Sequence, residues 1–335
     1  MRAIRLHSFG PAENLVLDEI ENPVPGPGQV RVAVAASGVH LLDTTLRQGL
    51  PGPYTEPISL PTVPGREVAG VVDALGEGTD PGWLGKMAVA HLGMVPGGYA
   101  EFAVTDAARL HEVPDRLDPA EAVAMIGTGR TTLGILGLAE LRENDIAIIP
   151  AAAGGIGSLL VQYVKNIGAT AIGLAGGAAK VAGVLANGAD MAVDYQQPDW
   201  DQQVRDHLGE RRATVVFDSV GGTIGRAAVD LLAKGGKHLV FGWTGEKDLH
   251  DGSPLAFTEE ELAERGITSE IVLGPAMLEK AGGLRALEER ALAEAATGRL
   301  RPVVQRFPLA DAARAHRALE TRGTVGKVVL IPRMP

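Results

Sequence analysis

The sequence contains no cysteine, which removes disulfides, thiolate nucleophiles and cysteine-held zinc together. The expected compartment is the cytoplasm. There is no run of lysine and arginine, and the formal charge is −10, so nucleic acid and anionic membrane surfaces are disfavoured as partners. The opening residues, MRAIRLHSFGPAENL, lack the continuous apolar segment of a signal peptide and read as a strand followed by a turn. No internal repeat is visible, and the Ala- and Gly-rich stretch 175–189 keeps helical spacing. One apolar stretch, 146–164, has the length of a membrane span. Pro150, Gly154, Gly155, Gly157, Ser158 and Gln162 break it where a soluble phosphate loop would. With 45% apolar and 21% charged residues over 335 positions, the composition is that of a soluble globular chain with room for two domains.

What the sequence does have is a stretch around which the rest is organised, NDIAIIPAAAGGIGSLLVQYVKNIG from Asn144. An apolar run, 146–149, suits a strand buried on both faces of a parallel sheet. Pro150 and a turn of small residues follow, and then Leu159, Leu160, Tyr163, Val164 and Ile167 recur at helical spacing. In such a strand, turn and helix, the N–H groups at the helix start and the helix dipole make a site for a diphosphate. Gly154 and Gly157 fill two of the three glycine places of G-x-G-x-x-G, while Ala152 stands in the first. Alanine is tolerable there if its φ stays negative.

Residues 1–120 read as short β segments broken by PVPGPG, GLPGP and GEGTDPGWLG, the pattern of a partly open β-barrel. From about Asp118, a helix cap before Pro119, helices and strands alternate. Strands are expected at 146–149, 169–174, 192–195, 214–218, 238–242 and 269–273. Helices are expected between them, including 178–187, 200–208 and 224–232. Alternation at this interval implies right-handed βαβ units and a Rossmann doubly wound parallel sheet, so the fold class is α/β. The tail, with a helix at 283–296, a strand at 303–307, a helix at 311–320 and a strand at 326–331, is expected to return to the first domain. The expected division is 1–120 catalytic, 121–275 nucleotide-binding and 276–335 catalytic again.

At the end of the second strand NAD-binding proteins place an acidic residue beside the adenosine ribose. Here that place reads AGGAAK from Ala175, with no carboxylate to repel a 2′-phosphate and with Lys180 available to pair with one. NADPH is therefore expected over NADH. The bland alternative for Lys180 is a solvated helix lysine.

Nearly the whole chain resembles the zinc-free, zeta-crystallin-like quinone oxidoreductases of the medium-chain dehydrogenase/reductase superfamily. The resemblance is carried by PGPGQVRVAVAASGV from Pro25, VPGREVAGVV from Val63, GGYAEFAV from Gly97, PAAAGGIGSLLVQ from Pro150, FDSVGG from Phe217 and GKVVLIP from Gly326. It implies a GroES-like catalytic domain built from both chain ends, a Rossmann domain between them, and a homodimer paired through the edge strand 269–273. It assigns Gly154, Gly155, Ile156 and Gly157 to the pyrophosphate, and Gly176, Lys180, Tyr195 and Arg322 to the 2′-phosphate. Ser219, Val220, Phe241, Gly242 and Leu273 would line the nicotinamide half, with Thr131 near the carboxamide. For Phe241, Val220, Leu273 and Tyr195 the bland alternative is sheet packing.

Zinc-dependent relatives place three ligands where this chain has His40, Arg66 and Thr128, and a guanidinium cannot be deprotonated to hold zinc. No metal is expected. The implied activity is NADPH-dependent hydride transfer to a small electrophile, a quinone or similar carbonyl. Alternatives are C=C reduction of an enoyl or alkenal substrate, and a low-turnover NADPH-binding protein of crystallin type. The candidate catalytic residues are His40, Asp43 and Arg66. Two roles are open to His40, proton donor or packed histidine, and two to Asp43, orienting His40 or anchoring its loop. Arg66 either pairs with Glu67 or Asp43, or steadies an enolate oxygen. Arg130 stands where the family has an apolar residue, and 44–61 shapes the pocket in relatives.

Overall fold

Two compact units make up the computed structural model, which describes residues 1–50, 58–93, 97–243 and 253–333. The first comprises Met1–Gly129, Ala291–Ala296 and Pro302–Pro335; the second comprises Arg130–Arg290 and Thr297–Arg301. The chain thus leaves the first unit nine residues later than the expected boundary at 120. The reason is packing: Pro119–Ala124 lies against the strands of the first unit. Of the expected pocket-shaping stretch, residues 51–57 lie outside the described residues. One helical run, Pro119–Ala139, is long and apolar enough to cross a membrane, and 78% of its apolar window is buried.

The first unit holds β1 (Arg2–Leu6), β2 (Leu15–Glu19), β3 (Gln29–Val39), β4 (Glu67–Leu75), β5 (Met87–His91), β6 (Phe102–Asp106) and β7 (His111–Glu112). The long strand β3 alternates buried and half-buried residues up to Ala36 and is then buried continuously, because further chain covers both its faces. Its pairing explains this. β4 runs antiparallel along one edge, while β6 pairs with Gln29 to Ala33 and the last strand, Lys327–Ile331, with Ser37 to Val39.

The second unit carries β8 (Ile146–Ile149), β9 (Thr170–Ala175), β10 (Met191–Asp194), β11 (Ala213–Asp218), β12 (Leu232–Val240) and β13 (Thr268–Ile271). They form one wholly parallel sheet in the order β10-β9-β8-β11-β12-β13, with the order reversing between β8 and β11. Every residue of β8 is buried. Ile148, Ile172, Leu174, Val204 and Val216 form the core beneath it, each contributing about 1.5–3 kcal/mol by leaving water. The expected helix 224–232 ends at Val229, and β12 starts six residues before the expected 238. Sheet pairing decides it, since Leu232 pairs with Ala213 across a register shift in β11. The helix Glu259–Arg265 was not expected, although its capping box, Thr258 with Glu261, is legible in the sequence.

The tail returns to the first unit as β14 (Val304–Pro308) and β15 (Lys327–Ile331), parallel to each other, with the helix Ala312–Glu320 between them. That helix supplies His316 to a buried network. Tyr99 gives its hydroxyl proton to Asp43 Oδ2 at 2.9 Å, and its oxygen lies 3.1 Å from His316 Nε2. Arg47 pairs with Glu320 on the same helix. Burial pushes the His316 imidazole down to about 4, overcoming the pull of the Asp43 carboxylate and aided by Arg47. A histidine with a depressed folded-state value binds its proton more weakly when folded. Its stability contribution is therefore lost as pH falls from 6.5 towards 4. The whole interval corresponds to about 3 kcal/mol. Urea unfolding at pH 7 and pH 4.5 should show the native chain losing about 2–3 kcal/mol more than His316→Gln; equal losses would refute the assignment.

Candidate active site

In the second unit the glycine turn lies at the C-terminal end of β8, where the strand order reverses. This is the position at which open α/β sheets bind ligands. Gly154, with φ −77, caps the helix Gly155–Asn166, whose first turn contains Ile156 and Gly157. The first N–H groups of such a helix have no acceptor within it. A Cβ on Gly157 would stand 2.4 Å from the Ala151 carbonyl and 2.7 Å from Ala152 Cα, so only glycine lets the helix start so close to the turn. The left-handed residue of the turn is Ala151, φ 50, and Ala152 is not among the positive-φ residues, which is why alanine serves there.

Gly176 follows β9, and a Cβ on it would come within 2.9 Å of the Tyr195 hydroxyl, so these two residues meet. Lys180 stands in the first turn of the helix Ala178–Ala186. The structure also corrects one expectation here, because a carboxylate does stand beside this turn. Asp194, at the end of β10, accepts Gly177 N at 2.9 Å and Gln196 N at 3.0 Å through Oδ1. These backbone bonds hold its carboxyl below the ordinary range. It comes from the third strand, so spacing along the second could not reveal it. Arg322, φ 56, belongs to the first unit.

Ser219 and Val220 follow β11, and Phe241 and Gly242 follow β12. A Cβ on Gly242 would lie 2.7 Å from the Ser219 carbonyl, so the two loops touch. Sequence reasoning missed the group that holds them, Asp218. Its Oδ1 accepts Val220 N and Gly221 N, each at 2.8 Å, and its backbone oxygen accepts Phe241 N at 2.8 Å. Its Oδ2 lies 3.1 Å from His238 Nε2, and His238 Nδ1 lies 2.8 Å from Ser269 Oγ. Leu273 follows β13 and Thr131 lies on the helix Arg130–Ala139. Arg130, the unexpected charge, pairs with Glu288 at 2.7 Å. That ion pair accounts for it without a substrate.

In the first unit His40 stands one residue past β3 and caps the helix Leu41–Arg47. Asp43 Oδ2 accepts the His40 backbone N–H at 2.8 Å, so Asp43 anchors the helix start rather than the imidazole. The ring is held instead by Glu67 Oε2 and Lys327 Nζ, 2.6 and 2.8 Å from Nε2. Lys327 carried no signal that spacing could show, since it lies 287 residues from His40. Arg66 is 9% exposed, and its charge opposes the burial that raises the Tyr99 hydroxyl well above its ordinary range. Thr128 lies in the wide helical turn Met125–Gly129. This set does not fit zinc: Arg66 cannot ligate, and a lysine ammonium already stands at the one imidazole nitrogen nearest the other charges.

Residues 26–115 match the alcohol dehydrogenase GroES-like domain family, and residues 187–330 the zinc-binding dehydrogenase family. A quinone oxidoreductase of Pseudomonas aeruginosa is 31% identical over 99% of both chains. A 2-haloacrylate reductase of a Burkholderia species is 30% identical over 98% of both. Among solved structures, the Escherichia coli quinone oxidoreductase complexed with NADPH superposes with a TM-score of 0.84 at 28% identity. That match covers 99% of this chain and 100% of the other. On the strength of this full-length similarity and of the two-unit fold beneath it, the chain belongs to the quinone oxidoreductase family of the medium-chain dehydrogenases/reductases.

Proposed function

We propose that this protein is an NADPH-dependent oxidoreductase that reduces a quinone or a similar electrophilic carbonyl without zinc. The observation that carries the reading is the turn Gly154–Gly157 at the reversal of the parallel sheet, where the close approach at Gly157 leaves a bare helix start for a diphosphate. In this reading Gly154, Gly155, Ile156 and Gly157 hold the pyrophosphate, while Lys180 and Tyr195 beside Gly176 hold the 2′-phosphate. Asp194 keeps its charge beside this turn while its Oδ1 holds backbone N–H groups, so in this reading Lys180 must outweigh it. Ser219, Val220, Phe241, Gly242, Leu273 and Thr131 orient the nicotinamide. NADPH, when bound, supplies the hydride. His40 and Arg66 serve the acceptor, His40 by giving a proton and Arg66 by steadying the oxygen that gains charge.

A second reading, reduction of a C=C bond, is favoured by the similarity to a protein named 2-haloacrylate reductase. Both readings need the same cofactor placement and no Lewis acid. Two copies are assigned to pair through β13. It lies at the edge of the sheet, and Ile271 there is 56% exposed.

NADPH oxidation should be followed with quinones, enones and aldehydes, with and without a strong chelator. Turnover is expected with quinones or enones and unchanged by chelation; turnover confined to simple aldehydes, or abolished by chelation, defeats the proposal. For the cofactor, Lys180→Ala should raise the NADPH dissociation constant about 10- to 100-fold, the worth of one charge-assisted hydrogen bond, and leave NADH nearly unchanged. Equal losses on both would return Lys180 to the solvent. Light scattering should give twice the mass of one chain, and a single-chain mass would remove the edge pairing.

A further inference from the structure

The turn that follows β9 is stitched to the end of β10. These strands run parallel with Asp194 opposite Ala175, so both end at the same edge of the sheet. Just past that edge Tyr195 N donates to the Ala175 carbonyl at 3.1 Å. Asp194 Oδ1 accepts Gly177 N at 2.9 Å and Gln196 N at 3.0 Å, and the Gln197 side chain also donates to this carboxylate. Gly176 lies against the side chains that follow. A Cβ there would stand 2.9 Å from the Tyr195 hydroxyl and 3.3 Å from Gln196 Nε2. Gly177, φ 89, then caps the helix Ala178–Ala186.

Charge is sparse around this turn. Lys180 is the one cation between positions 170 and 199, and it stands in the first turn of that helix. Three carboxylates share the span. Asp190 is answered by Lys165 at 2.7 Å, and Asp199 stands at the start of the helix Trp200–Leu208. Asp194 is the one bonded to the turn. A helix start ordinarily favours an incoming anion through its dipole. At this helix a carboxylate of the protein is already in place, and two backbone N–H groups keep it from swinging away. The same bonds keep it ionised, with its proton affinity below the ordinary carboxylate range. The turn thus carries one positive and one negative side chain.

Resting on the reading of Gly176, Lys180 and Tyr195 as the 2′-phosphate site, we infer that Asp194 sets how far this protein prefers NADPH to NADH, its negative charge holding the preference low. A 2′-phosphate is drawn by Lys180 and repelled by the carboxylate, whereas a neutral 2′-hydroxyl feels neither strongly. The turn itself does not need the charge. Gly177 N and Gln196 N require only an oxygen to accept them, and an amide oxygen does so as well as a carboxylate oxygen. A neutral residue of the same shape builds the same turn without the repulsion. The charge of Asp194 is therefore felt at the cofactor rather than in the fold, and NADH is expected to serve as a second, weaker cofactor.

Asp194→Asn removes the charge and keeps the oxygen. Titration calorimetry at low salt should follow two fragments of the cofactor, adenosine 2′,5′-bisphosphate and 5′-AMP. The ratio of their affinities should rise about 5- to 10-fold over that of the native chain, through tighter binding of the bisphosphate with AMP unchanged. At about 1 M NaCl, where exposed charges are screened, the gain should shrink towards none. A ratio that stays or falls in the variant overturns the proposal, and so does a gain that salt leaves intact. A turn disturbed by the substitution weakens both fragments together and leaves the ratio where it was, so it does not imitate the expected result. In turnover, with whichever quinone or enone is reduced, the kcat/KM ratio for NADPH over NADH should move in the same direction; a fall overturns the proposal. Lys180→Ala separates the two ideas. If it leaves the bisphosphate-to-AMP ratio at its native value, the reading of this turn as the 2′-phosphate site fails. If it lowers the ratio while Asp194→Asn does not raise it, only the role given to Asp194 fails.

Discussion

A carboxylate taken wholly out of water costs several kcal/mol unless an opposite charge is built against it, and Glu67 is such a carboxylate. Its partners come from chain segments remote in sequence: His40 from the end of β3 and Lys327 from the start of β15. The pairing can form only if the C-terminal tail crosses back and lays β15 against β3. The buried charge thus ties the last strand to the first unit. It also fixes the imidazole that stands at the end of β3. Gly38 and Gly127 are there because no side chain larger than hydrogen fits beside the carboxylate.

The second unit solves a similar problem with Asp218. This residue is also fully buried, and its oxygens are divided between the backbone of the following loop and His238. One residue therefore holds both loops: its carboxylate binds the loop after β11, and its backbone oxygen accepts Phe241 N just past β12. His238 passes the constraint on to Ser269 in the edge strand. In each unit a buried acid is spent on holding a loop or a ring in place.

The same reasoning applies to the buried cations. Arg66 and Lys327 are cations buried in the first unit, and Lys327 Nζ lies 3.0 Å from Glu67 Oε2. Arg130 is likewise answered within its own unit by Glu288. Lys327 and Arg130 are thus each matched by a carboxylate from another element, as burial requires.

The sequence by itself determined the alternation of strands and helices, the parallel sheet and the glycine turn at Gly154–Gly157. These follow from apolar periodicity and small-residue turns, which act over a few residues. Strand limits were less legible where pairing overrode local pattern, as at Leu232, which joins β12 because Ala213 lies opposite it. Only the tertiary structure decided that Asp43 binds the backbone of His40, that Asp194 caps the turn after Gly176, and that Asp218, Glu67 and Lys327 hold the site. Each of these is a contact between elements distant along the chain. Local pattern shows which side chains will be buried, but the partner that makes burial of a charge tolerable is chosen only when the strands pair.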